Sequence, residues 1–198
     1  MGYDQIDWDQ ERPTAEAVQE AWKNLSITPM APTKPLTDIE EALSQTRLNG
    51  WVICRQFELG ESEVLHWFFT RNRLDEADFF SEFFNRNEVK AQVAKVGQVN
   101  DLLRAFEMRA PFTALGTLTD EISSGGAYEE YDGSVREVLA LMSRFAGDAL
   151  DEALSQTPAW TNWKAWAEGF CDVAWDASFL FFHKEAARVT LVLMTDTD

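Results

Sequence analysis

Two apolar segments near the C-terminus limit the fold more than any other feature of this chain. Ala177–Phe182 and Arg188–Met194 are rich in aromatic and β-branched residues, the composition typical of strands. His183–Ala187 is a short polar connection between them. This pattern predicts a β-hairpin at about 177–194.

An earlier pair of segments has the same composition. Trp51–Phe57 and Val64–Thr70 are again rich in aromatic and β-branched residues, and Leu59–Ser62 between them suits a tight turn. The pattern predicts a second hairpin at about 51–71.

Helical spacing of apolar residues, together with capping residues, predicts the remaining regular structure. The predicted helices are Thr14 to Asn24, Thr37 to Thr46, Asp75 to Phe84, Asn100 to Met108 and Ser134 to Leu154. Prolines at three positions predict an extended linker at about 28–35, which joins the N-terminal helix to the body. Glycine, serine and threonine in Pro111–Asp132 predict loops and short irregular pieces.

Strands in hairpins interspersed with helices indicate the α+β class, an antiparallel sheet packed with several helices. The chain has 198 residues, of which 45% are hydrophobic, including 14 Phe and 8 Trp. A chain of this length buries a substantial core, and we predict a single domain over 1–198.

The chain is strongly acidic, with 34 Asp and Glu against 17 Lys and Arg, a net charge of −17. Most of the excess lies in residues 1–46 and 120–176, which flank a nearly neutral middle. Such a potential repels nucleic acid and anionic membranes and attracts basic proteins. The expected partner is therefore a protein with a basic surface, although acidity also serves solubility alone.

Two lone cysteines, Cys54 and Cys171, do not make a disulfide framework. The N-terminus lacks the basic start and apolar run of a signal peptide. No apolar run approaches the ~20 residues that span a bilayer. These features predict a cytoplasmic protein.

Catalytic motifs are absent from the sequence. Its two histidines are too few for a His/Cys metal site, and no G-x-S-x-G elbow occurs. Gly125-Gly126 has acids rather than a lysine nearby, which disfavours phosphate binding. We therefore predict no catalytic residue, metal or cofactor. Asp172 and Asp176 would lie on the same face whether their segment is a helix or a strand. Such a pair can act as acid and base, so a carboxylate-dependent hydrolase is the remaining alternative.

Two segments, Asp120–Asp132 and Trp160–Asp176, combine acids with aromatic residues. This is the composition of a site that pairs with Arg and Lys and offers anchoring rings. The alternatives for them are a solvated loop and core packing. The candidate partner-binding residues are Asp120, Glu121, Tyr128, Glu129, Glu130, Tyr131, Asp132, Trp163, Glu168, Asp172 and Asp176.

Two local patterns carry a resemblance of type. Gly125–Tyr128 with Tyr131–Gly133 precedes a predicted helix, and Asp172–Asp176 precedes the hairpin that ends in Thr195–Asp198. With these two patterns, the acidic, tryptophan-rich α+β chain resembles the immunity proteins of bacterial polymorphic-toxin and type VI secretion systems. The resemblance implies an inhibitor that binds a cognate toxin and blocks its active site. It transfers no role to a particular residue. A phage or plasmid anti-defence protein that mimics nucleic acid is the neighbouring alternative.

Overall fold

The computed structural model describes residues 6–100, 106–150 and 157–198. Within these ranges the chain forms seven α-helices, six strands and two 3₁₀ turns, Asp75–Ala77 and Ala94–Val96. The helices are α1 (Ala15–Asn24), α2 (Lys34–Ser44), α3 (Glu63–Thr70), α4 (Phe79–Asn85), α5 (Asn87–Gln92), α6 (Pro111–Ser124) and α7 (Val135–Leu150). The strands are β1 (Ile27–Pro29), β2 (Trp51–Leu59), β3 (Glu107–Arg109), β4 (Ala159–Asn162), β5 (Ala177–His183) and β6 (Arg188–Thr195).

The strands form one sheet in the order β1-β2-β6-β5-β4-β3, and every neighbouring pair is antiparallel. This confirms the predicted α+β class. The C-terminal hairpin is also confirmed, with His183 of β5 opposite Arg188 of β6 across the turn.

Helices cover both faces of the sheet. Val189, Leu191 and Leu193 of β6 pack in a core cluster with residues of α1, α3, α4 and α5. Val192 and Met194, on the alternate face, pack in a second cluster with residues of α2, α6 and α7. Because both faces are buried, β5 and β6 are almost continuously apolar instead of alternating with polar residues.

The predicted hairpin at about 51–71 is wrong in its second half. Trp51–Leu59 is a strand, but it pairs with β6 and β1, whereas Glu63–Thr70 is helix α3. The Ser62 hydroxyl accepts a hydrogen bond from the Leu65 N–H at 3.3 Å and caps the helix. Five of the eight residues of α3 are buried, so its apolar run lacks the periodicity that separates a short helix from a strand.

The cap of α3 provides a test of this correction. Ser62→Ala is expected to lower the free energy of unfolding by about 1 kcal/mol, because it removes the oxygen that satisfies a free helix N–H. Ser123→Ala is the control, since that exposed hydroxyl bonds the Thr119 carbonyl within α6. Its effect should stay below about 0.5 kcal/mol. Urea unfolding followed by tryptophan fluorescence measures both. Equal losses would argue against a capping role for Ser62.

The prediction of loops over Pro111–Asp132 is wrong in its first part, because Pro111–Ser124 forms helix α6. Pro111 occupies the first turn, where its missing N–H costs nothing. Thr117, Thr119 and Ser123 each donate their hydroxyl to the carbonyl four residues earlier, so these turn-forming residues are accommodated inside a helix.

Three smaller differences concern the sheet. The predicted helix Asn100 to Met108 falls partly outside the described residues, and its end is strand β3. Strand β4 was not predicted from the sequence. Within the predicted linker at about 28–35, Thr28 and Pro29 belong to β1, which pairs with Phe57–Leu59 of β2.

Candidate functional site

The two predicted binding segments meet at one end of the sheet. Thr195 of β6 lies opposite Trp51, the first residue of β2, and Asn162, the last residue of β4, lies opposite Ser178. Connections from these strands therefore leave the sheet at the same end. We call this region, made of residues 46–50, 120–133, 163–176 and 195–198, the acidic end.

A buried carboxylate joins three parts of the acidic end. Asp196 is 0% exposed and accepts hydrogen bonds from the Asn49 N–H at 3.0 Å and the Ala127 N–H at 2.8 Å. Gly126 packs so tightly that a β-carbon there would lie 1.9 Å from the Thr46 carbonyl oxygen. The chain terminus thus holds the loop before β2 against the loop after α6.

An ion pair joins the two predicted segments to each other. The buried Arg47 guanidinium lies 3.0 Å from the Glu121 carboxylate on α6, and the Trp163 indole N–H donates to the same carboxylate at 3.4 Å. Arg47 also donates to the Thr46 hydroxyl at 2.7 Å. Glu121 and Trp163, which are 42 positions apart in sequence, are therefore in contact.

Burial opposes charge at both partners of this pair. Burial raises the pKa of the Glu121 carboxyl above its ordinary value of 4.5, although Arg47 and the Trp163 indole act in the opposite direction. Burial likewise lowers the pKa of the Arg47 guanidinium, against the attraction of Glu121 and Asp196. The pair is therefore held in place at a desolvation cost that its mutual attraction only partly offsets.

Asp176 does not lie on the surface of the acidic end. It is 0% exposed and accepts hydrogen bonds from the Cys171, Asp172 and Val173 N–H groups, at 3.3, 2.7 and 3.3 Å. The Thr195 hydroxyl donates to it as well. Its inclusion among the surface candidates is corrected on this ground, because both carboxylate oxygens are used to fold the loop before β5.

Asp172 is exposed and has a positive φ of 58°, a conformation that Asp tolerates better than most residues. Its own N–H donates to Asp176. The pair considered for a hydrolase is therefore one surface carboxylate and one internal hydrogen-bond acceptor.

The exposed part of the acidic end combines acids with large side chains. The Gly126 N–H donates to the Glu129 carbonyl at 2.9 Å and closes a tight loop with Ala127 and Tyr128 at its tip. Tyr128 is 60% exposed and Trp163 38%, and Tyr131 packs against the second core cluster. The predicted acids with exposed side chains are Asp120, Glu129, Glu130, Asp132, Glu168 and Asp172. Lys164 is the one exposed base of these segments.

Sequence reasoning missed Arg47, Leu48 and Asp196. Leu48 is 58% exposed beside Asn49, the residue that Asp196 holds. Thr195 and Asp196 belong to a polar C-terminal segment, yet both are buried. No spacing in the sequence indicates these roles, because each partner lies far away along the chain.

The residues considered for catalysis are dispersed. His66 lies in α3 and His183 at the end of β5, where its Nδ1 accepts from the Ala186 N–H at 3.1 Å. Burial raises the pKa of the Cys54 thiol well above its ordinary value. In the ranges that the structure describes, no three His, Cys, Asp or Glu side chains are grouped to hold a metal ion.

Among the helices of the described ranges, none is long and apolar enough to cross a bilayer.

Comparison of the chain with models of known protein families gives no match. Comparison with curated proteins gives no match either. The geometry and charge of the acidic end therefore carry the functional interpretation.

Proposed function

We propose that this protein is an immunity-type inhibitor, which acts in the cytoplasm by binding a bacterial toxin with a basic surface through the acidic end. One observation carries the proposal. Two segments chosen from sequence for their acids and aromatic residues converge on one surface, through the contact of Trp163 with Glu121.

Charge at the acidic end would act on the rate of encounter. Its exposed carboxylates lie on α6, on the loop after it, on the connection before β5 and at Asp198, with Lys164 as the single exposed base. A potential of one sign speeds association with a basic protein, and salt weakens that effect.

Exposed large side chains would supply the anchoring contacts. Tyr128, Leu48 and Trp163 each present a ring or branched apolar group to solvent. Trp and Tyr are enriched where binding energy is concentrated. The loops that present Leu48 and Tyr128 are held by Asp196, so little conformational freedom has to be lost on binding.

The proposal predicts that three exposed acids of the loop after α6 contribute to affinity. Glu129→Gln, Glu130→Gln and Asp132→Asn combined should raise the Kd for the toxin about tenfold at low salt, mainly by slowing association. The toxin to use is one encoded beside this protein's gene. Growth rescue on co-expression, co-purification and calorimetry at two salt concentrations provide the measurements.

The matched control removes three exposed acids at the opposite end of the sheet. Glu58→Gln, Glu61→Gln and Glu63→Gln make the same change in net charge, where β2 ends and α3 begins. We expect this variant to keep most of the affinity. If both triple variants weakened binding equally, the affinity would depend on the net charge of the protein and not on the acidic end. No rescue and no complex with the wild-type protein would refute the inhibitor proposal.

A further inference from the structure

We propose that a second site, separate from the acidic end, binds a small aromatic ammonium compound. It is a cleft of about 540 Å³ at the β3 edge of the sheet. The residues that line it include Asp75, Asp78, Phe80, Phe106, Met108 and Trp160. None of these belongs to the acidic end, so this proposal does not depend on the toxin-binding function. Its volume falls in the range of small-molecule sites.

Aromatic rings and the exposed Met108 side chain form the apolar part of the cleft. Phe80 and Phe106 are stacked, with centroids 4.9 Å apart and planes 7° apart, and Phe80 meets Trp160 edge-on at 5.9 Å. Phe79 and Phe80 also pack in the first core cluster, which fixes the position of these rings. A flat apolar group is the shape that such a set of rings accommodates.

Two carboxylates make the cleft selective for charge. Asp75 and Asp78 are exposed, and in the described part of the chain neither forms an ion pair. The nearby Arg73 pairs with Glu76 instead. A ligand cation at this rim would meet two carboxylates in a protein that is already strongly negative.

One residue of the cleft, Trp160, has an indole N–H without an acceptor in the described part of the chain. Trp22, Trp51, Trp67 and Trp166 each donate the indole N–H to a protein oxygen. Trp160 is 5% exposed, lines the cleft and has no such acceptor among the described residues. An indole N–H is a donor only, so the ligand that best fits also carries an oxygen.

Tyramine combines the three features, an ammonium group, an aromatic ring and a phenolic oxygen, and tyrosol is its neutral counterpart. With ¹⁵N-labelled protein, tyramine should shift the Trp160 indole signal in a saturable manner, with the signal assigned from Trp160→Phe. Tyrosol should bind about tenfold more weakly, and Asp75→Asn with Asp78→Asn should weaken tyramine binding by a similar factor. Asn tolerates the positive φ of 51° at position 78.

Glu61→Gln with Glu63→Gln is the control, since it removes two exposed charges outside the cleft. It should leave tyramine affinity within about twofold. Equal binding of tyramine and tyrosol, or equal weakening by both double variants, would overturn the proposal. So would a lysine-rich peptide that shifts the Trp160 signal when tyramine does not, because the cleft would then belong to a protein interface.

Discussion

Asp176→Asn is expected to lower the free energy of unfolding by about 3 kcal/mol, the cost of leaving buried hydrogen-bond donors without an acceptor. Each oxygen of the Asp176 carboxylate accepts from two donors, and three of the four are backbone N–H groups. An asparagine amide has the same shape but replaces one oxygen with an NH₂ group. The two groups that donated to the lost oxygen would then face the NH₂ group, which is itself a donor, inside the protein.

Asp172→Asn is the matched control, four residues away. Its side chain is exposed, and Asn tolerates the positive φ at this position. We expect a change below about 0.5 kcal/mol. Urea unfolding of both variants, followed by tryptophan fluorescence, measures the difference. Similar small losses in the two variants would contradict the structural role of Asp176. A loss of function in Asp172→Asn without a loss of stability would fit its position among the exposed acids of the acidic end.

Arg47→Met is expected to cost about 3 kcal/mol at pH 7, because it leaves the Glu121 carboxylate partly buried without its counter-charge. The Arg47 side chain is fully buried and Glu121 is mostly buried. Arg55→Met is the control, since Arg55 and Glu40 form an ion pair in which both side chains are about one-third exposed. Loss of that pair should cost less than about 1 kcal/mol.

The cost of Arg47→Met should fall as the pH is lowered from 7 towards 4.5. Burial raises the pKa of Glu121 even in the intact pair, and removing Arg47 removes an interaction that lowers it. In the folded variant Glu121 therefore takes up its proton at a higher pH than in the unfolded chain, where the ordinary value applies. Because the folded state binds the additional proton, its stability rises as the pH falls.

Unfolding curves of wild type and Arg47→Met at pH 7, 6 and 5 test this sign. A cost independent of pH would mean that lost packing, rather than the unpaired carboxylate, dominates. Arg47→Met with Glu121→Leu should recover most of the stability at pH 7, because an apolar pair avoids the desolvation of both charges.

The sequence alone was sufficient to predict the helices and strands whose pattern is local. Thr14 caps α1 within one turn, since its hydroxyl accepts from the Ala17 N–H at 3.2 Å. The β5–β6 hairpin is encoded in two adjacent segments and a short turn. The antiparallel α+β class followed from these elements, because a hairpin specifies its own pairing.

Tertiary structure decided what depends on distant partners. Glu63–Thr70 is a helix because the core surrounds its apolar residues and Ser62 caps it, although its composition equally suits a strand. Asp176 and Asp172 are equivalent in the sequence, yet one is an internal acceptor and the other a surface charge.

The acidic end depends on tertiary structure for the same reason. Its acids and aromatic residues were identified from composition, but the contacts Arg47–Glu121, Trp163–Glu121 and Asp196–Ala127 join positions between 42 and 74 residues apart. Local propensity and periodicity act over a few residues. Only burial against the sheet determines which of these distant loops lie together, and therefore which charges face solvent and which hold the fold.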